Sequence, residues 1–134
     1  MTHRILVIDD EDDIREVAAL SLETVAGWQV YMANSGTQGL ARAIDLQPDA
    51  ILLDVMMPGM DGFEVARSLK TNPLTQSIPI VVASSLDDNA SRKRMMAIKI
   101  DAFLVKPIDR WELSRQVAEI LDARRNLQPS GSDA

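Results

Sequence analysis

A handful of polar side chains stand out because each closes or directly follows a short apolar run. Asp9 and Asp10 come after Ile5-Leu6-Val7-Ile8, and Asp54 after Ile51-Leu52-Leu53. Ser84 follows Ile80-Val81-Val82-Ala83, and Lys106 follows Phe103-Leu104-Val105. These residue types suit phosphoryl transfer to a carboxylate. Asp54 can be the nucleophile. Asp9 and Asp10 can help hold a hard cation, and Lys106 can meet a phosphoryl oxygen as a point charge. The Ser84 hydroxyl can donate to another such oxygen.

Each residue also has a plainer reading. Asp9 to Asp13 form an unbroken run of five acids, and anions at a helix N-terminus are stabilised by its dipole. Capping accounts for Asp12 and Asp13, and for Glu11 in part. It does not account for Asp9 and Asp10 at the buried end of a strand, where like charges repel, and Asp54 nearby adds to the repulsion. A divalent cation resolves this, and Mg²⁺ suits one or two carboxylates plus phosphate oxygens and water. Taken alone, Asp54 would simply begin a turn, and Lys106 would be a solvated lysine. Their joint placement favours chemistry.

That placement depends on the elements. Arg4–Asp9 reads as a buried parallel strand. Ile14, Val17, Ala18, Leu22 and Val25 then mark one helical face, which Gly27 is placed to stop. Trp28–Ala33 is expected to be a strand, with Asn34, Ser35 and Gly36 as turn and cap. Leu40, Ala43, Ile44 and Gln47 outline a second helix, ended before Pro48. Ala50–Asp54 is the third strand, and Met56–Met60 a loop. A third helix starts at Asp61, with Glu64 completing a capping box and Val65, Ala66 and Leu69 facing the core. Ile80–Ala83 and Ala102–Val105 are the remaining strands, separated by a weakly patterned helix over Asp88–Ile98. A last helix spans Asp109–Ala123, with Leu113, Val117, Ile120 and Leu121 inward.

Such alternation predicts an α/β fold: a single doubly wound, five-stranded parallel sheet covered on both faces. Right-handed crossovers bring every strand C-terminus to one edge, where ligands of such sheets bind. Residues 1–125 are expected to form one domain, and 126–134 a polar flexible tail. A net charge of -6, from 20 acids against 14 bases, argues against direct nucleic-acid binding. With no cysteine, disulfides and thiolate metal sites are excluded. No apolar run is long enough to cross a bilayer, and the start lacks a signal-peptide pattern, so the expected compartment is cytoplasmic. His3, the only histidine, sits near the N-terminus and makes a phosphotransfer role for histidine in this chain improbable. The methionines at 56, 57, 60, 95 and 96 read first as gap-filling core, and Trp28 and Trp111 as packing residues.

Four motifs in order carry a family resemblance: Ile5-Leu-Val-Ile-Asp9-Asp10-Glu11, Leu53-Asp54-Val-Met-Met-Pro58-Gly-Met-Asp61-Gly62, Pro79-Ile-Val-Val-Ala-Ser84 and Phe103-Leu-Val-Lys106-Pro107. From about Arg4 to Ala123 the chain resembles the CheY-like receiver domains of two-component response regulators. The resemblance implies strand order 2-1-3-4-5, Asp54 as phosphoacceptor and Mg²⁺ as cofactor. It implies that Asp10 binds the ion directly and Asp9 largely through water, and that the Met56 carbonyl completes the protein ligands with Asp54. Ser84 and Phe103 would be a switch pair that remodels the face built by the fourth helix, fifth strand and fifth helix. Implied partners are a sensor histidine kinase or histidine phosphotransfer protein, and a downstream protein or an output domain. A homodimer through the same face is plausible by the same analogy.

The chain departs from the family pattern in three places. Lys99-Ile100 stands where a Gly-Ala pair is usual, Ser85 where alanine is usual, and Phe103 where tyrosine is commoner. Two other function classes fit these residues less well. A metabolic phosphatase with an aspartyl-phosphate intermediate generally carries an acid two residues after the nucleophile, and here that residue is Met56. A docking-only receiver would not need the five key residue types, all of which are present. The leading expectation is a signalling domain that catalyses its own phosphorylation and later its own dephosphorylation.

Overall fold

The apolar runs become five strands: β1 Arg4–Ile8, β2 Gln29–Ala33, β3 Ala50–Asp54, β4 Ile80–Ser84 and β5 Ala102–Val105. The computed structural model describes residues 3–9, 22–23, 27–55, 62–84, 89–105 and 110–127. Its strands form one sheet in the order β2-β1-β3-β4-β5, every neighbouring pair parallel. This is the implied order. Every residue of β3 and β4 is buried, as a sheet covered on both faces requires.

Four helices are described: α1 Gly36–Leu46, α2 Gly62–Thr71, α3 Asn89–Ala97 and α4 Arg110–Leu127. Only Leu22 and Glu23 of the expected first helix are described, and both are helical. Gly27 follows with φ 71°, its N–H donating to Glu23 O at 3.0 Å, so it stops that helix as expected. Ser35 caps α1 by accepting from the Gln38 N–H at 3.2 Å, while Gln38 Oε1 accepts from the Asn34 N–H at 2.7 Å.

Strand periodicity sorts the core into two layers. Leu6, Ile8, Ile51, Leu53, Ile80 and Val82 face α1, α2 and α3, meeting Ala43, Phe63, Val65, Leu69 and Met95. Ile5, Val7, Leu52, Val81, Ala83 and Leu104 face the other way, meeting Leu22 and the α4 residues Leu113, Val117 and Leu121. Trp28 and Ile120 pack against this second layer.

At the N-terminal edge of the sheet two aspartates make the same clamp. The Asp49 N–H donates to Arg4 O and Asp49 Oδ2 accepts from the Arg4 N–H, both at 2.7 Å. The Asp101 N–H donates to Ile80 O at 2.9 Å and Asp101 Oδ2 accepts from the Ile80 N–H at 2.8 Å. Each acid precedes a strand and fastens the start of its neighbour.

Several details differ from expectation. Ser84 is the last residue of β4, not the first of a loop. Ile44 is 37% exposed, because α1 approaches β1 through Gly39. A Cβ at Gly39 would lie 2.6 Å from Ile8 Cδ1, so the Ile8 side chain would have to shift to admit a larger residue. Met95 is fully buried while Met96 is 62% exposed, so only one of this pair fills core. The last helix reaches Leu127, taking in the first two residues of the segment expected to be a tail. The acids Asp10–Asp13, the Met56–Met60 loop, Ser85, Lys106-Pro107 and the Trp111 side chain lie outside the described residues.

Candidate functional site

The two central strands deliver the two described carboxylates to one place. Ile8 pairs with Leu53, so the residues that follow, Asp9 and Asp54, stand at the same level on neighbouring strands. Parallel strands lie roughly 4.8 Å apart. Asp9 is 2% exposed and Asp54 3%. Their strand parity matches that of Val7 and Leu52, which places both on the face covered by α4. The backbone around them is fixed: the Asp9 N–H donates to Ala33 O at 3.1 Å, and the Val55 N–H to Ala83 O at 3.3 Å.

Ser84, fully buried, ends the next strand. Because Asp54 pairs with Ala83, Ser84 lies one residue beyond the level of Asp54. It shares strand parity with Val82, whose partner on β5 is Phe103. Ser84 and Phe103 thus lie on the face covered by α3, offset by two residues, and the partly buried Phe103 ring packs against that core layer. Lys106 lies outside the described residues. It follows Val105, the register partner of Ser84.

Of the four metal candidates, Asp9 and Asp54 are described and adjacent, while Asp10 and Met56 lie outside the described residues. No group of three or more His, Cys, Asp or Glu is gathered among the described residues, so Asp9 and Asp54 alone would not complete a ligand set. The chemistry of the pair nonetheless fits Mg²⁺. Two nearly buried carboxylates at neighbouring positions repel, and a hard divalent ion with oxygen ligands relieves that repulsion.

Two further residues shape the site. Gly62, the first residue of α2, donates its N–H to Val55 O at 2.9 Å. A Cβ on Gly62 would lie 2.4 Å from Val55 Cα and 2.6 Å from Asp54 O. Only glycine lets the helix start directly against the peptide that follows the carboxylate. Next to it, Phe63 is buried, and the Arg94 guanidinium of α3 lies 3.9 Å from its ring centroid. This links the helix that starts at the site to α3. Gly62 is visible in the sequence as a glycine at a helix start, where capping alone does not call for one. The Arg94–Phe63 contact leaves no pattern in the sequence.

Known proteins similar to this chain in sequence and fold are numerous. A family model described as "Response regulator receiver domain" matches residues 5–118. The response regulator PleD of Caulobacter vibrioides is 41% identical over 138 residues, covering 98% of this chain and 30% of PleD. The phosphate regulon transcriptional regulatory protein PhoB of Pseudomonas aeruginosa is 36% identical over 130 residues, covering 97% of this chain and 55% of PhoB. The chain therefore spans about a third to a half of the length of these relatives. The crystal structure of a putative response regulator from Chloroflexus aurantiacus superposes with a TM-score of 0.85 at 31% identity, covering 91% of this chain and 99% of that one.

Proposed function

Because the chain belongs to the response regulator receiver domain family, we propose that it is a phosphorylation-dependent switch whose phosphoacceptor is Asp54. The observation that carries this reading is the nearly buried Asp54, level with Asp9 on the neighbouring strand, with the buried Ser84 one residue further along the next strand. The donor is a phosphohistidine of a sensor kinase or phosphotransfer protein. An Asp54 carboxylate oxygen attacks phosphorus, the P–N bond breaks, and the leaving imidazole takes up a proton. Lys106 holds one phosphoryl oxygen by charge, and the Ser84 hydroxyl donates to another. Asp9, Asp10, Asp54 and the Met56 carbonyl would hold Mg²⁺, which neutralises charge on the transferred oxygens. In the reverse phase, water attacks phosphorus and releases inorganic phosphate with Asp54 restored.

The phosphoryl group then shifts a pre-existing equilibrium. Ser84 and Phe103 share the face of α3, so movement of the hydroxyl toward the phosphoryl group frees space for the ring to turn inward. The surface that changes is α3–β5–α4, where α3 commits Met95 to the core and leaves Met96 exposed. Its target is a downstream protein or an output domain joined to this one, as in relatives that extend well beyond the matched region. No described helix is long and apolar enough to cross a membrane, consistent with action in the cytoplasm beside a kinase domain.

The test is intact-mass measurement after incubation with Mg²⁺ and acetyl phosphate. One phosphoryl adduct is expected on the native chain, and none on Asp54→Ala or after chelation of the metal. If the native chain shows neither an adduct nor beryllofluoride binding, the domain docks without being phosphorylated.

A further inference from the structure

Lys99, one of the departures from the family pattern, takes φ 68°, the left-handed region that glycine occupies without strain and a side chain does not. It follows the end of α3, closed by the Ile98 N–H to Met95 O and the Lys99 N–H to Met96 O, both at 3.0 Å. Beside it is a pocket of about 620 Å³ between the end of α2 and the α3–β5 connection, with Arg67, Lys70, Ser77, Lys99 and Asp101 in its wall. Three cations face one carboxylate there, in a chain whose net charge is -6.

That carboxylate is already committed. Asp101 Oδ2 accepts from the Ile80 N–H and lies 3.6 Å from Lys70 Nζ, which in turn donates to Ile78 O at 3.3 Å. Arg67 and Lys99 form no ion pair with any described residue. Complementing a helix C-terminus explains Lys70, which sits in the last turn of α2. It does not explain a lysine in the left-handed position after α3, where glycine would end the helix with less strain.

We propose that this pocket binds a small anion bearing several phosphate oxygens, held by Arg67 and Lys99. Arg67 offers the planar fork that matches two oxygens, and Lys99 a point charge across from it. Lys70 and the Ser77 hydroxyl are further donors. The volume suits a metabolite-sized ligand more than a single simple ion. The pocket lies at the edge where β4 and β5 begin, with Asp101 in its wall, while Asp54 ends β3 at the other edge. The inference is therefore independent of phosphorylation.

The test is an amide-resolved NMR titration with sodium pyrophosphate, in EDTA and at constant ionic strength. Saturable shifts are expected around residues 67–71 and 97–101. Arg67→Gln and Lys99→Gly should each bind about tenfold more weakly, as loss of one charge-assisted contact implies, and Asp54→Ala should bind as the native chain does. Lys99→Gly should also melt at a higher temperature, so its weaker binding cannot be misfolding. A parallel titration with adenosine diphosphate separates the sources: tighter binding points to a phosphate ester, equal binding to the inorganic group. Shifts that do not saturate, native affinity in Lys99→Gly, or loss of binding in Asp54→Ala would each overturn the proposal.

Discussion

Two carboxylates held level on neighbouring strands, each at most 3% exposed, repel one another in the metal-free fold. At the usual strand spacing of about 4.8 Å and an effective dielectric near 20, such a pair would repel by roughly 3 kcal/mol before other partners, screening and relaxation reduce it. Removing one charge while keeping the shape should therefore stabilise the domain. Asp54→Asn is expected to gain about 1–2 kcal/mol in EDTA, read by urea unfolding with the native chain alongside. Saturating Mg²⁺ should narrow the gap, because an ion that binds only the folded native pair adds to its stability by mass action. Equal stability in EDTA would mean that the charge of Asp54 is compensated without metal, and the argument for a cation from repulsion would fail.

At the scale of elements, the site depends on how α2 meets β3. Gly62 places the first turn of that helix against the Asp54–Val55 backbone, where a methyl group would meet backbone atoms rather than a flexible side chain. Gly62→Ala should cost about 1–3 kcal/mol, the range for forcing extra volume into a packed contact, and should slow phosphoryl uptake from acetyl phosphate. Stability is read by chemical denaturation and uptake by the rate at which the adduct mass appears. Loss of stability with native uptake would show that the helix start supports the fold and not the geometry of Asp54.

The strands, their order of appearance and the polar residues that end them were legible because apolar runs closed by acid or hydroxyl are local features of the chain. The face of α2 was legible too, since Val65, Ala66 and Leu69 recur at helical spacing and are all buried. Contacts set by which elements touch were not legible. Ile44 fits the helical pattern of α1 yet is partly exposed, because Gly39 and Ala43 make the close approach to β1. The roles proposed for Ser84 and Phe103 as a switch pair and for the Met56 carbonyl as a ligand rest on resemblance, as no spacing rule implies them. Lysine itself gives no sign of the left-handed conformation of Lys99; only the glycine usual at that position in the family pattern points to it.

Across the whole molecule, acids at the two edges of the sheet have different jobs. Asp9 follows β1 and Asp54 ends β3 at the edge proposed for the chemistry, whereas Asp49 and Asp101 fasten the starts of β1 and β4 at the other. A carboxylate accepting from a strand's first N–H contributes about 1–2 kcal/mol when partly exposed. Asp49→Ala and Asp101→Ala should each lose about that much in chemical denaturation. The two clamps lie on different strand pairs and share no partner, so the double variant should lose the sum to within about 0.5 kcal/mol. Neither change touches Asp54, Asp9 or Ser84, and acetyl phosphate should still give a single adduct on the double variant wherever it remains folded. If the adduct disappeared while the fold persisted, the two edges would be energetically coupled, and phosphorylation should then stabilise the clamped edge in return, because coupling between binding events is reciprocal.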